Sequence, residues 1–156
     1  MDDIDKNILE LIQDNAALSL VELSRRVGIS KTPCWNRIRK MEESGIIERR
    51  VTILNREKVG LPIVVFLFVT VGQHSEAWSE NFSFLIKRHA EITEVHRLTG
   101  AGSDYMLKIV AKSVADYDHF QQKLIGEMTF TNLSSSISLE ELKRETRLPL
   151  SLGEVG

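Results

Sequence analysis

Apolar residues recur along this chain with two different periods, and the period changes near residue 60. Up to Gly45 the spacing is helical. Ile4, Ile8, Leu11 and Ile12 form one stripe behind Asp2 and Asp3, whose charges suit a first helical turn. Ser19 precedes a second stripe, Leu23 and Val27, with Glu22 three residues on in the pattern of a capping box. Gly28 stands where a helix end takes a left-handed residue, Ile29 is apolar in the turn, and Ser30 is placed to cap the next helix. There Pro33 occupies the first turn, and Cys34, Ile38 and Met41 make the buried stripe before Gly45. Leu20–Ser44 therefore predicts two helices joined by a tight turn, a helix-turn-helix, packed on a first helix. Ile46–Leu54 is β-branched and predicts a wing or a linking strand, and Asn55–Gly60 a polar turn at a domain boundary.

Past that boundary the pattern predicts β-α-β-β-α-β. Ile63–Val71 is a strand apolar at nearly every position, as a strand covered on both faces is. Ser75–His89 is a helix with Trp78, Phe82, Leu85 and Ile86 inward. Ile92–Thr99 and Asp104–Ala111 are strands around a turn at Gly100–Ser103. Ser113 and Asp116 cap a helix burying Tyr117, Phe120 and Leu124, and Leu133–Leu142 is the last strand. This order is the ferredoxin-like split βαβ, with helices on one sheet face only. The other face needs a dry cover, and a second copy of the chain supplies one, so a homodimer is expected.

Composition narrows the function. Of 156 residues 42% are hydrophobic and 27% charged, with a net charge of −2, so any polyanion binding must be local. It is local here. Leu23–Met41 carries six basic residues (Arg25, Arg26, Lys31, Arg37, Arg39, Lys40) and no acidic one. At 100° per residue Thr32, Asn36 and Arg39 lie opposite Cys34, Ile38 and Met41, with Trp35 and Lys40 on the flanks. A DNA-reading helix-turn-helix lays this part of its second helix in the major groove, and a dimer sets two such helices roughly 34 Å apart. A solvated basic face on an ordinary helix pair is the plainer alternative. Thr32, Trp35, Asn36 and Arg39 are the base-edge candidates, Trp35 being equally suited to packing. Arg25, Ser30, Lys31, Arg37 and Lys40 are the phosphate candidates. The single cysteine, on an apolar stripe, is expected to be a core residue. Six charges in residues 1–15 argue against a signal peptide, and the longest apolar run, Leu61–Val71, is too short to span a membrane. A cytoplasmic, nucleoid-associated protein is expected. His74, His89, His96 and His119 lack metal-ligand spacing, and no catalytic constellation is present, so neither a metal nor an enzyme is expected.

The opening DDIDKNILELIQDNAALSLVELSRRVGIS, the following KTPCWNRIRKMEESGII, the TG…DYMLK stretch and the late ELKRETRLPL resemble the Lrp/AsnC (leucine-responsive, feast/famine) family of transcriptional regulators across nearly the whole chain. The resemblance implies an α+β chain: a three-helix winged helix-turn-helix domain at 1–50, a linking strand or hinge at 51–60, a RAM-type ferredoxin-like ligand-sensing and oligomerisation domain at 61–147, and a tail at 148–156. It implies double-stranded DNA as partner, dimers assembling to an octamer or other ring, no cofactor, and a free amino-acid effector that alters assembly or DNA affinity. By the family's Gly-x-x-Asp pattern the effector residues are Thr99, Gly100, Ala101, Gly102, Asp104 and Tyr105, in a loop one residue longer than that pattern, with the hydroxyls of Ser135 and Ser136. Two glycines let N–H groups reach a carboxylate, and Asp104 suits an ammonium; the alternative is a plain hairpin turn. A metabolic regulatory subunit whose helices bind protein, and an enzyme on this scaffold, are the competing classes, and the acid-free basic stretch speaks against the first.

Overall fold

The computed structural model describes residues 1–72, 75–100 and 102–153. They divide into two compact units, Met1–Ile53 with the residues from Lys143 onward, and Leu54–Leu142.

The first unit holds α1 (Asp3–Asp14), α2 (Leu20–Val27) and α3 (Lys31–Glu43). The best-formed capping box is in α1: Asp2 accepts from the Asp5 N–H at 2.9 Å, and the Asp5 carboxylate accepts from the Asp2 N–H at 3.1 Å. At α2 only half a box forms. Ser19 Oγ accepts from the Glu22 N–H at 3.2 Å, but the Glu22 carboxylate turns to Arg25 and Arg26 instead of returning. Gly28 ends α2 at φ +78. Ser30 is the N-cap of α3, yet its hydroxyl makes no cap bond, because the third helical residue, whose N–H the other N-caps take, is Pro33, which has none. The core comprises Ile8, Leu9, Ile12, Leu23, Cys34, Ile38 and Met41, with Leu18, Val27 and Ile29 against it. Cys34 is fully buried, and burial pushes its thiol pKa up.

Residues 46–62 form no strand. The expected extension of Ile46–Leu54 finds no ladder within the chain, and Val51, Ile53 and Leu54 are exposed. β-branched composition favours a strand only where a partner supplies the hydrogen bonds. The residues from Lys143 onward are grouped with the helical unit, and they end in a short 3₁₀ turn, Leu150–Leu152.

The second unit is a four-stranded antiparallel sheet of β1 (Ile63–Thr70), β2 (Ile92–Arg97), β3 (Tyr105–Ala111) and β4 (Asn132–Ile137) in the order β2-β3-β1-β4, with α4 (Glu76–Arg88) and α5 (Val114–Glu127). This is the βαββαβ order of the ferredoxin-like fold. Val65, Leu67, Val69, Leu107, Ile109 and Ala111 form its core with Phe82 and Leu85 from α4 and Tyr117, Phe120 and Leu124 from α5. The opposite parity, Val64, Phe66, Phe68, Met106 and Val110, lies on the other face, which is apolar along β1 but also carries Lys108, paired with Glu94, and His96, Ser134 and Ser136. β4 ends at Ile137, short of the expected Leu142. Its last hydrophobics, Leu139 and Leu142, have no sheet face to enter and are exposed.

Candidate functional site

The second helix of the helix-turn-helix points the way its periodicity requires. Cys34, Ile38 and Met41 are buried, while Lys31, Thr32, Trp35, Asn36, Arg39 and Lys40 are exposed. The outward face is structured. The Arg39 guanidinium lies 5.4 Å from the centre of the Trp35 ring, and its Nε donates to Glu43 at 2.6 Å. Trp35, 48% exposed, is therefore a half-open platform and not a core residue.

The carboxylates absent from Leu23–Met41 arrive from just outside it. Glu22 accepts from Arg25 at 2.7 Å and from Arg26 at 2.7 Å, and those bonds hold its own carboxyl down at about 2. Glu43 takes Arg39. Arg37 departs furthest from the sequence expectation. Its Nη1 reaches Asp2 at 2.7 Å and Asp5 at 2.8 Å, and its side chain is only 32% exposed. It clamps α3 to the start of α1, an engagement the expected phosphate contact did not anticipate. The cause is the α1 capping box, which gathers two carboxylates directly beside α3. The same pairing keeps the Asp2 carboxyl below the ordinary range, with the Asp5 N–H the larger cause. Among the described residues Lys31 and Lys40 keep no carboxylate partner, and the Ser30 hydroxyl is uncommitted.

In the second unit the loop from Leu98 to Asp104 is laced to the end of β1. The Leu98 N–H donates to the Asp104 carbonyl at 2.8 Å, the Asp104 N–H to Val69 at 2.8 Å, and Thr70 Oγ1 to the Gly102 carbonyl at 2.9 Å. Asp104 Oδ2 accepts from the Val71 N–H at 2.6 Å. Gly100 and Gly102 sit at φ +122 and +123, where a side chain would be strained. Thr99 is exposed beside them. Thr70 and Val71 were missed in the sequence reading; the one available signal was a hydroxyl closing an otherwise apolar strand.

The remaining expected effector residues scatter. Tyr105 turns into the core, its ring 4.9 Å from Phe82 and 5.7 Å from Trp78. Ser135 pairs with Leu67 in register, faces α5, and is bonded to the Tyr117 hydroxyl at 2.5 Å. Ser136, opposite Phe66, points to the other sheet face. The two hydroxyls therefore point to opposite faces of the sheet, because neighbours along a strand alternate. Ala101 and His74 lie outside the described residues. Among the described residues no group of side chains could hold a metal, and no helix is long and apolar enough to cross a membrane.

Two family models cover this architecture, a winged helix-turn-helix DNA-binding domain at residues 1–48 and the Lrp/AsnC ligand binding domain at residues 64–148. The chain belongs to the Lrp/AsnC family. Over 150 residues it is 41% identical to the glutamate uptake regulatory protein of Zymomonas mobilis, covering 96% of this chain and 91% of that one. Among solved structures it matches an AsnC family transcriptional regulator from Agrobacterium tumefaciens at 38% identity and TM-score 0.93, over 97% of this chain and 99% of that one. It also matches a Neisseria meningitidis transcriptional regulator solved in complex with L-Met, at 31% identity and TM-score 0.92, over 97% and 98%. As an Lrp/AsnC member the chain is a DNA-binding transcriptional regulator with an amino-acid-binding domain, not an enzyme.

Proposed function

We propose that this regulator reads DNA as a homodimer through the outward face of α3, and that a free α-amino acid held at the Leu98–Asp104 loop changes its assembly or DNA affinity. The observation that carries the reading is the seating of α3, buried through Cys34, Ile38 and Met41 while Thr32, Asn36 and Arg39 stay exposed. Thr32, Trp35, Asn36 and Arg39 reach base edges. Lys31, Lys40, Arg25 and Ser30 hold phosphates, while Arg37 positions α3. The domains work as a reading unit ending near residue 50, a hinge to residue 60 and a sensing unit beyond it.

The dimer covers the open sheet face. Phe66, Phe68, Met106 and Val110 remain partly accessible in one chain, which supports a second copy against them. Assembly of dimers into an octamer or ring, and residence on the nucleoid in the cytoplasm, follow the family pattern. At the loop, N–H groups near Gly100 and Gly102 approach the ligand carboxylate without a Cβ in the way. Asp104 fixes the loop by its bond to Val71 and lends its charge to attract the ammonium.

Gel-shift titration at several salt concentrations tests the first half, since phosphate contacts release counterions and weaken steeply with salt. A thermal-shift screen of the twenty amino acids tests the second. One that binds the folded state alone raises stability by about 2.7 kcal/mol at a hundred times its Kd. Salt-insensitive binding, or no amino acid shifting the melting point, contradicts the respective half.

A further inference from the structure

The described end of the chain is docked onto the helical unit, not left as a free tail. The attachment has a polar and an apolar part. At the C-terminal end of α1, Gln13 Oε1 accepts the Leu148 N–H at 2.7 Å, and Gln13 Nε2 donates to the Leu148 carbonyl at 3.2 Å. One side-chain amide thereby satisfies both main-chain groups of one residue, as a rung of a β-ladder does. Two residues on, Leu150 packs against the cluster built on Ile8, Ile12 and Leu23, while Leu148 and Leu152 on either side remain exposed. Pro149 lies between rung and plug at φ −75, within its ring's natural range, so the segment reaches both attachments with little backbone entropy left to lose.

We propose that residues 143–152 are a strap whose docking surface is the Gln13 end of α1. The occupant is this chain's own C-terminal segment. The DNA-reading unit is then tied to the sheet twice along the chain, through residues 54–62 ahead of β1 and through residues 138–147 behind β4. Three features support it. Gln13 spends its whole hydrogen-bonding amide face on one main-chain residue 135 positions away. Leu150 alone of the three nearby leucines is drawn into the core cluster. The compact helical unit takes in the chain from Lys143 onward. Because α1 also supplies Asp2 and Asp5 to Arg37, a strap that steadies α1 steadies the seat of α3.

The test is amide hydrogen exchange followed by NMR in the full chain and in Gln13→Ala and Leu150→Ala. Alanine keeps the helix propensity of α1, so a loss of protection reports the rung and not the helix. In the native chain the Leu148 amide is expected to be protected, and Gln13→Ala to speed its exchange about tenfold. Leu150→Ala is expected to speed exchange across α1 while amides in β1 and β3 keep their rates. A chain ending at Leu142 should show the same faster exchange in α1, partly restored by a synthetic peptide of residues 143–156. If that shortened chain does not fold, the two point variants decide the matter. An unprotected Leu148 amide in the native chain, or unchanged exchange in both point variants, overturns the strap.

Discussion

Replacing Arg39 by alanine removes a guanidinium that lies 5.4 Å from the Trp35 ring centre and 2.6 Å from Glu43. Both neighbours compete with DNA for it. The pair with Glu43 is an exposed i,i+4 contact, worth about 0.3–0.5 kcal/mol, so little is lost when Arg39 swings to a base. A bidentate contact to guanine discriminates by about 1–3 kcal/mol. Arg39→Ala should therefore weaken binding to the best duplex by roughly 5- to 150-fold, and the loss should concentrate at one base pair. Glu43→Gln should have the opposite sign. It frees Arg39 and removes a negative charge beside the duplex, so affinity should rise about twofold. The assay is fluorescence anisotropy with a panel of duplexes altered one base pair at a time. Equal weakening of Arg39→Ala on every duplex would make Arg39 a phosphate contact. Weaker binding by Glu43→Gln would mean that the ion pair positions Arg39 for the base, and the competition argument would be wrong.

Gly102→Ala meets no atom within 4 Å of its new Cβ, so its cost comes only from φ +123; a loss of about 1–3 kcal/mol in thermal unfolding is expected, and an unchanged melting point contradicts the strain. Tyr117→Phe removes the hydroxyl bonded to Ser135 and should cost about 1 kcal/mol in denaturant titration, with no change in DNA affinity. The Glu22 carboxyl is held at about 2 against an ordinary 4.5, chiefly by its bond from Arg25. The lowered folded pKa makes its contribution to stability complete above about pH 4.5 and lost as pH falls through about 2. A carbon-detected NMR titration of that carboxyl should give a midpoint near 2, and one near 4.5 would mean the two arginines do not hold it in solution.

The architecture was legible because its period is strong. The stripes of Cys34, Ile38 and Met41 and of Tyr117, Phe120 and Leu124 lie on the buried faces of their helices, and Gly28 takes the left-handed conformation its place demanded. Long-range pairing was not legible. Arg37 looked free because its carboxylates, Asp2 and Asp5, are more than thirty positions away, and nothing local marks an ion pair between helices. Ser135 and Ser136 looked like a pair because adjacency in sequence hides the alternation of a strand, and the register with Leu67 and Phe66 separates them. The strand expected through Leu142 failed for a related reason. Leu139 and Leu142 have strand-like composition, but β1 ends its pairing with β4 at Ile137, and a strand needs its partner. The attachment of Leu148 to Gln13 left no local mark at all.

The salt dependence of DNA binding tests the central claim, that the polar side of α3 faces a polyanion while its apolar side is locked in the core. The logarithm of the binding constant should fall linearly with the logarithm of salt concentration, with a slope reduced by about one unit in Lys31→Ala and again in Lys40→Ala. In Arg37→Met, which removes the clamp to Asp2 and Asp5 and no phosphate contact, the slope should be unchanged. A slope insensitive to both lysines, or one that drops only when Arg37 is replaced, would place the DNA on a different surface.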